Sequence, residues 1–143
     1  MGDDGFGPRV AEELQENYDL PEGVLVINAG SSVRNILFDI TLSETKPDKI
    51  IIVDAIDDAR TAGEIFELPV DNIPEKKIDD FSMHQVPTSN LLKELKQLCK
   101  VDVMILVCQV ENASAEVTDV ISDTILNAIP VACKRIYEII TMN

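Results

Sequence analysis

Three short stretches carry the side chains best suited to chemistry: the adjacent carboxylates Asp3 and Asp4, the carboxylate Asp54, and His84, the chain's single histidine. Two carboxylates and one imidazole make a mixed oxygen and nitrogen donor set. Such a set suits a borderline divalent metal, Ni²⁺ or Zn²⁺ or Cd²⁺, and fewer than four protein ligands leave a coordination position for a substrate. Each residue also has a plainer reading. Asp3 and Asp4 serve equally well as charges favoured by a helix N-terminus, Asp54 as a solvated turn residue, and His84 as an ordinary polar contact. Their positions relative to the folded elements therefore decide between the two.

The acidic pair sits in Met1-Gly2-Asp3-Asp4-Gly5-Phe6-Gly7-Pro8, with three of the chain's six glycines around it. Glycine tolerates positive φ and close backbone approach, so this stretch reads as a tight loop presenting acids. Val10, Ala11, Leu14 and Tyr18 then recur at helical spacing, and Pro8 fits a first helical turn. In an α/β fold, a loop that opens a helix usually follows a strand and faces the ligand crevice. No strand precedes this one in the chain.

Further along, Val24-Leu25-Val26-Ile27 reads as a buried strand. Asn28 to Ser32 reads as a loop with capping residues, and Val33, Ile36, Leu37 and Ile40 mark a short helix. Ile50-Ile51-Ile52-Val53 is the strongest strand signal: four β-branched residues in a row require burial on both faces, as in a parallel sheet. That strand ends on Asp54, where α/β folds place function. Gly63 to Leu68 alternates polar and apolar, as an edge strand does, with antiparallel pairing an open option. Ser82 to Ser89, which contains His84, reads as a loop leading into a Leu-rich helix over 90–98. Val101 to Val110 is a second apolar strand. Ile121 to Ile140 traces a long amphipathic helix that Pro130 is expected to kink. The order α-β-α-β-β-α-β-α predicts a single three-layer α/β/α domain over 1–143.

Composition narrows the function. With 12 basic and 26 acidic residues, the net charge of −14 repels phosphate backbones and argues against nucleic-acid binding. The aliphatic core, with 4% aromatic residues and no Trp, favours strands covered by helices. Cys99, Cys108 and Cys133 are odd in number and lack CxxC spacing, so reduced thiols and a cytoplasmic location are expected. No run of about 18 apolar residues is present, so no membrane segment is expected.

Gly2-Asp3-Asp4-Gly5-Phe6-Gly7, Ile52-Val53-Asp54-Ala55-Ile56 and Ser82-Met83-His84-Gln85, in that order and spacing, resemble the hydrogenase maturation endopeptidases. These enzymes trim the large subunit of nickel–iron hydrogenases. Gly63-Glu64-Ile65 and the Pro-containing last helix are similar too, so the resemblance spans nearly the whole chain. Met83 to Thr88 and Cys108 to Glu111 look most like the branch serving coenzyme F420-reducing hydrogenases of methanogens. The resemblance implies an α/β/α sandwich on a mostly parallel five-stranded sheet with one antiparallel strand. It implies Asp4, Asp54 and His84 as metal-reading residues. Hydrolysis also calls for a carboxylate to activate water, for which Asp3 is one candidate and the ligands Asp4 and Asp54 are the others. The metal that the resemblance implies is nickel supplied by the substrate, with Zn or Cd as substitutes. The implied partner is the hydrogenase large-subunit precursor, cut to release a short C-terminal peptide.

The chain departs from the family pattern in two places. The family's hydrophobic first strand and Gly-Asn turn are missing ahead of the acidic loop, and Asn28 stands where an acid is usual. A missing central strand would leave an exposed sheet slot, through which self-association is expected. Two other classes share some of these features: a phosphoacceptor receiver module and a non-enzymatic α/β binding module. A receiver needs a Lys after its last strand, and Cys108 to Asn112 offers none.

Overall fold

A computed structural model of the chain describes residues 5–70, 85–111 and 121–142, with the backbone alone for Ser31 and residues 85–90. Helix α1 spans Phe6–Asn17. A short 3₁₀ turn, Gly30–Ser32, leads into α2 at Val33–Leu42. Strands β1 (Lys49–Ile56) and β2 (Ile65–Leu68) follow. Helix α3 (Gln85–Gln97), strand β3 (Asp102–Gln109) and helix α4 (Asp123–Thr141) complete the described elements.

The sheet has the order β1-β3-β2. β1 runs parallel to β3 from Lys49↔Asp102 to Ile56↔Gln109. β2 runs antiparallel to β3, from Ile65↔Cys108 to Leu68↔Ile105. The polar–apolar alternation of residues 63–68 thus belongs to an antiparallel edge strand. The two apolar runs are parallel neighbours, as their need for two-sided burial requires.

Strand periodicity divides the core between two faces. Ala55, Leu106 and Cys108 pack with Phe6, Val10 and Leu14 of α1 and with Ile125, Ile129, Cys133 and Ile136 of α4. Ile56, Ile105 and Val107, one residue out of phase, pack with Leu37 of α2 and with Leu92 and Leu95 of α3. Helices therefore cover both sides, giving the three-layer α/β/α arrangement. Helix α4 continues through Pro130. Among the described residues, no helix is long and apolar enough to cross a membrane.

Residues 24–27 do not form a strand. Leu25 and Ile27 are 81% and 48% exposed, while Val26 packs against the α1–α4 core. The segment is half-buried, and the Val26 carbonyl accepts from Gln15 Nε2 at 2.8 Å. An apolar run becomes a strand only when a neighbour takes up its backbone groups, and none of the described strands does so. The second correction is at α3. It begins at Gln85 rather than near Asn90. Pro87 lies in its first turn, where the backbone N–H groups have no intrahelical acceptor and a missing one costs nothing.

Cys133 illustrates how closely the α1–α4 layer is packed. It is fully buried and its Sγ donates to the Val10 carbonyl at 3.7 Å. Burial, aided by the nearby Glu13 charge, pushes its thiol from an ordinary value of 9.0 up to about 11. The folded chain thus disfavours the thiolate. The stability tied to this group is intact below the unfolded value and is lost as pH rises through the folded one. Thermal melts from pH 8 to 11 should show a decline between about 9 and 11 that is shallower in Cys133→Ala. Equal slopes in the two proteins would contradict this assignment.

Candidate active site at the carboxyl end of the sheet

Asp54 lies in β1 opposite Val107 and two residues before the strand ends. By strand alternation it shares a face with Ile52 and Ile56, the face covered by α2 and α3. It is part-buried, and its Oδ1 accepts the backbone N–H of Ala55 at 2.8 Å. Because β1 and β3 are parallel, both end on one rim, and Asp54 stands just inside that rim. Parallel sheets bind their ligands there.

Asp4 and His84 lie outside the described residues, as does Asp3, but their flanking elements are described. Helix α1 starts at Phe6, and its Gly7 backbone meets the end of β1. A Cβ added to Gly7 would lie 2.7 Å from the Val53 carbonyl oxygen and 3.9 Å from the Asp54 Cα. Helix α1 therefore begins against the backbone of Val53 and Asp54. Helix α3 begins one residue after His84. Only four residues separate α3 from β3, and Val101 N–H donates to the Leu95 carbonyl at 3.1 Å. That tight connection folds α3 back antiparallel to β3, so its N-terminal end points toward the carboxyl rim. Thirteen helical residues extend about 20 Å, most of the roughly 26 Å length of the eight-residue strand beside them. Among the described residues, no three His, Cys, Asp or Glu side chains gather closely enough to hold a metal ion. Asp54 is the one member of the expected trio within that set.

The rim beyond Asp54 is closed by residues with little in their local sequence to single them out. The chain leaving β1 turns through Asp57 to Arg60 and returns at Gly63 into β2. Gln109, the last residue of β3 and 4% exposed, faces this connection. Its Oε1 accepts from Asp58 N–H at 2.8 Å and Arg60 N–H at 3.1 Å. Its Nε2 donates to Asp57 Oδ1 at 3.0 Å and to the Val110 carbonyl at 3.1 Å. Farther out, Arg60 lies 3.7 Å over the Phe66 ring and pairs with Glu64 at 2.8 Å. The available signal for Gln109 is a polar residue ending an otherwise apolar strand. Gly63, at φ +85, permits the turn, and a Cβ there would lie 2.8 Å from Thr124 Cγ2.

A family profile described as hydrogenase maturation protease matches residues 8–139. The chain belongs to the hydrogenase maturation protease family. It is accordingly a peptidase. A putative hydrogenase maturation protease of Methanocaldococcus jannaschii is 40% identical over 109 residues, covering 76% of this chain and 68% of its own length. The coenzyme F420 hydrogenase subunit delta of Methanothermobacter thermautotrophicus is 31% identical over 140 residues, covering 95% of this chain and 85% of its own. This second relative agrees with the resemblance of residues 83–88 and 108–111 to the F420 branch. The solution structure of the endopeptidase HycI from Escherichia coli superposes with a TM-score of 0.72 at 30% identity, covering 94% of this chain and 81% of that one.

Proposed function

We propose that this endopeptidase removes the C-terminal extension of a nickel-loaded hydrogenase large-subunit precursor and reads the bound nickel through Asp4, Asp54 and His84. The observation that carries the reading is the convergence on Asp54. A part-buried carboxylate stands at the carboxyl rim of a parallel strand, and Gly7 in the first turn of α1, three residues after Asp4, packs against the backbone of Val53 and Asp54. Helix α3, which starts one residue after His84, points toward the same rim.

The nickel arrives with the substrate, and two carboxylates with one imidazole are donors it accepts, as Zn²⁺ or Cd²⁺ would be in its place. Binding to nickel already held in the precursor makes cleavage conditional on metal loading. The hydrolysis needs a base for the attacking water. A carboxylate such as Asp3, Asp4 or Asp54 takes the water proton as oxygen bonds to the peptide carbonyl carbon. The C–N bond then breaks, and the proton passes to the departing amine. The same reading puts the reaction in the cytoplasm.

Incubation with nickel-loaded and nickel-free precursor tests this. Only the loaded form should be cut, and Asp4→Asn or His84→Ala should abolish the cut. Equal cleavage of both forms would remove nickel reading from the function.

A further inference from the structure

Gln109 uses every hydrogen-bonding position of its carboxamide: two N–H donors and two acceptor sites, all filled by protein at 2.8 to 3.1 Å. Three of these four bonds go to Asp57, Asp58 and Arg60. Its main chain adds two more to the same connection, since Gln109 N–H donates to the Glu64 carbonyl and its carbonyl accepts from Gly63 N–H, both at 2.9 Å. One residue thus holds both ends of the segment that crosses from β1 to β2.

The held segment is not a relaxed one. Ala59, between the two amides that Gln109 Oε1 accepts, has φ 56. A residue with a Cβ rarely adopts that left-handed region. Its own N–H donates to Asp57 Oδ1 at 3.1 Å, so Asp57 Oδ1 receives both Ala59 and Gln109. Three successive amides, Asp58, Ala59 and Arg60, converge on two oxygens, forming a backbone concavity of the kind that binds anions. Here the Gln109 carboxamide oxygen fills it. Such a loop keeps its shape only while the surrounding groups over-determine it.

Position gives the clamp a functional meaning. Ile56 and Gln109 are register partners, so the clamp sits on the first residues beyond the rim that carries Asp54. We propose that Gln109 is a positioning residue for the peptidase reaction, fixing the Asp57–Glu64 connection just beyond the strand end that carries Asp54. This rests on the peptidase reading given above. The scissile bond of the nickel-loaded precursor must be placed within a fraction of an ångström for hydrolysis, and a misplacement of about 1 Å can cost on the order of 100-fold in rate. The clamp therefore acts on the chemical step more than on docking of the large precursor.

The test uses the full chain with nickel-loaded precursor. Gln109→Met keeps the buried volume and removes all four carboxamide bonds. At a temperature well below its melting transition, kcat should fall at least about tenfold while KM changes less than about threefold. Amide exchange should accelerate at Asp58, Ala59 and Arg60 while Val103 to Val107 in β3 stay protected. Gln109→Glu retains the two acceptor bonds but sets a carboxylate against Asp57, so it should also lose rate. Adding Asp57→Asn to Gln109→Glu returns a neutral donor to the pair and should recover part of kcat. A full kcat in Gln109→Met despite fast exchange at 58–60 overturns the proposal. So does a loss of activity that merely follows the unfolded fraction, or no recovery in the double variant. If the unaltered chain cuts no precursor, the peptidase reading fails and the positioning role with it, whereas exchange at 58–60 still reports whether the clamp exists.

Discussion

Asp54→Asn is expected to lower cleavage of nickel-loaded precursor by about 100-fold or more while moving the melting transition only slightly. The two effects separate because the proposed nickel-reading role and the strand-end hydrogen bond draw on different properties of the Asp54 side chain. Its Oδ1 accepts the Ala55 N–H at 2.8 Å, and an asparagine carbonyl oxygen can accept the same bond. Strand β1 and its pairing with β3 should therefore survive. What asparagine cannot supply is the negative charge. A neutral amide is a poor donor to a divalent cation and a poor acceptor for the proton of an attacking water. Removing an outer partner of a metal ligand already costs about 10–100-fold, so removing a ligand itself belongs at or beyond the top of that range. A factor of 100 corresponds to about 2.7 kcal/mol of lost transition-state stabilisation. Single-turnover cleavage, with a thermal melt on the same preparation, separates the outcomes. Retained cleavage in a folded Asp54→Asn chain would leave Asp54 a structural residue of the strand end and take nickel reading away from it.

The parts of the fold legible in the sequence are those where one physical cause dominates. Ile50 to Val53 and Val103 to Val107 are apolar on both faces, and only a strand inside a helix-covered sheet satisfies them. Residues 65–68 alternate, and β2 is an edge strand with Phe66 buried and Glu67 exposed. Periodicity of 3.6 likewise locates α1, α2 and α4. Legibility ends where the outcome depends on a distant partner. Val24 to Ile27 has strand composition, yet a ladder requires a neighbouring strand, which composition does not reveal. The start of α3 is ambiguous in sequence because Val86-Pro87-Thr88-Ser89 suits a turn and a helical first turn equally well.

The site divides in the same way. Asp54 stands out because little in the packing of a buried strand calls for an acid at its end, and the fold puts it at the parallel rim. Asp4 and His84 are marked by residue type and by family resemblance, and both lie outside the described residues. Gln109 and Gly7 carry only weak local marks, a polar residue ending an apolar strand and one glycine in a glycine-rich stretch. One matters through bonds to residues about 50 positions away, with Asp58 and Arg60 separated from it by 51 and 49. The other matters through a space that only the packed backbone defines.

That space leads to the second large effect, at Gly7. An alanine Cβ there would sit 2.7 Å from the Val53 carbonyl oxygen, a distance that real Cβ atoms essentially never show. The obstacle is backbone in a paired strand, so no side-chain rotation relieves it. Helix α1 must move away from β1, loosening Phe6, which is fully buried beside Gly7. Alanine also brings a favourable helix propensity of up to about 1 kcal/mol over glycine. Overpacking of a tight core costs about 1–3 kcal/mol, so the clash wins and a net loss of about 1–2 kcal/mol is expected. In a chain of this size that lowers the melting temperature by about 3–8 °C. Activity should fall further than stability requires, because the shift separates the start of α1 from Asp54 and misplacement of about 1 Å is enough to cost on the order of 100-fold. Gly23→Ala supplies the comparison. Gly23 has φ +88 and a Cβ there meets nothing within 4 Å, so its substitution strains the backbone far from the rim. It should destabilise by about 1 kcal/mol and leave cleavage of loaded precursor unchanged at temperatures where the chain is folded. If both variants lose activity only in step with their melting curves, the close approach of α1 to β1 stabilises the fold without setting the geometry around Asp54.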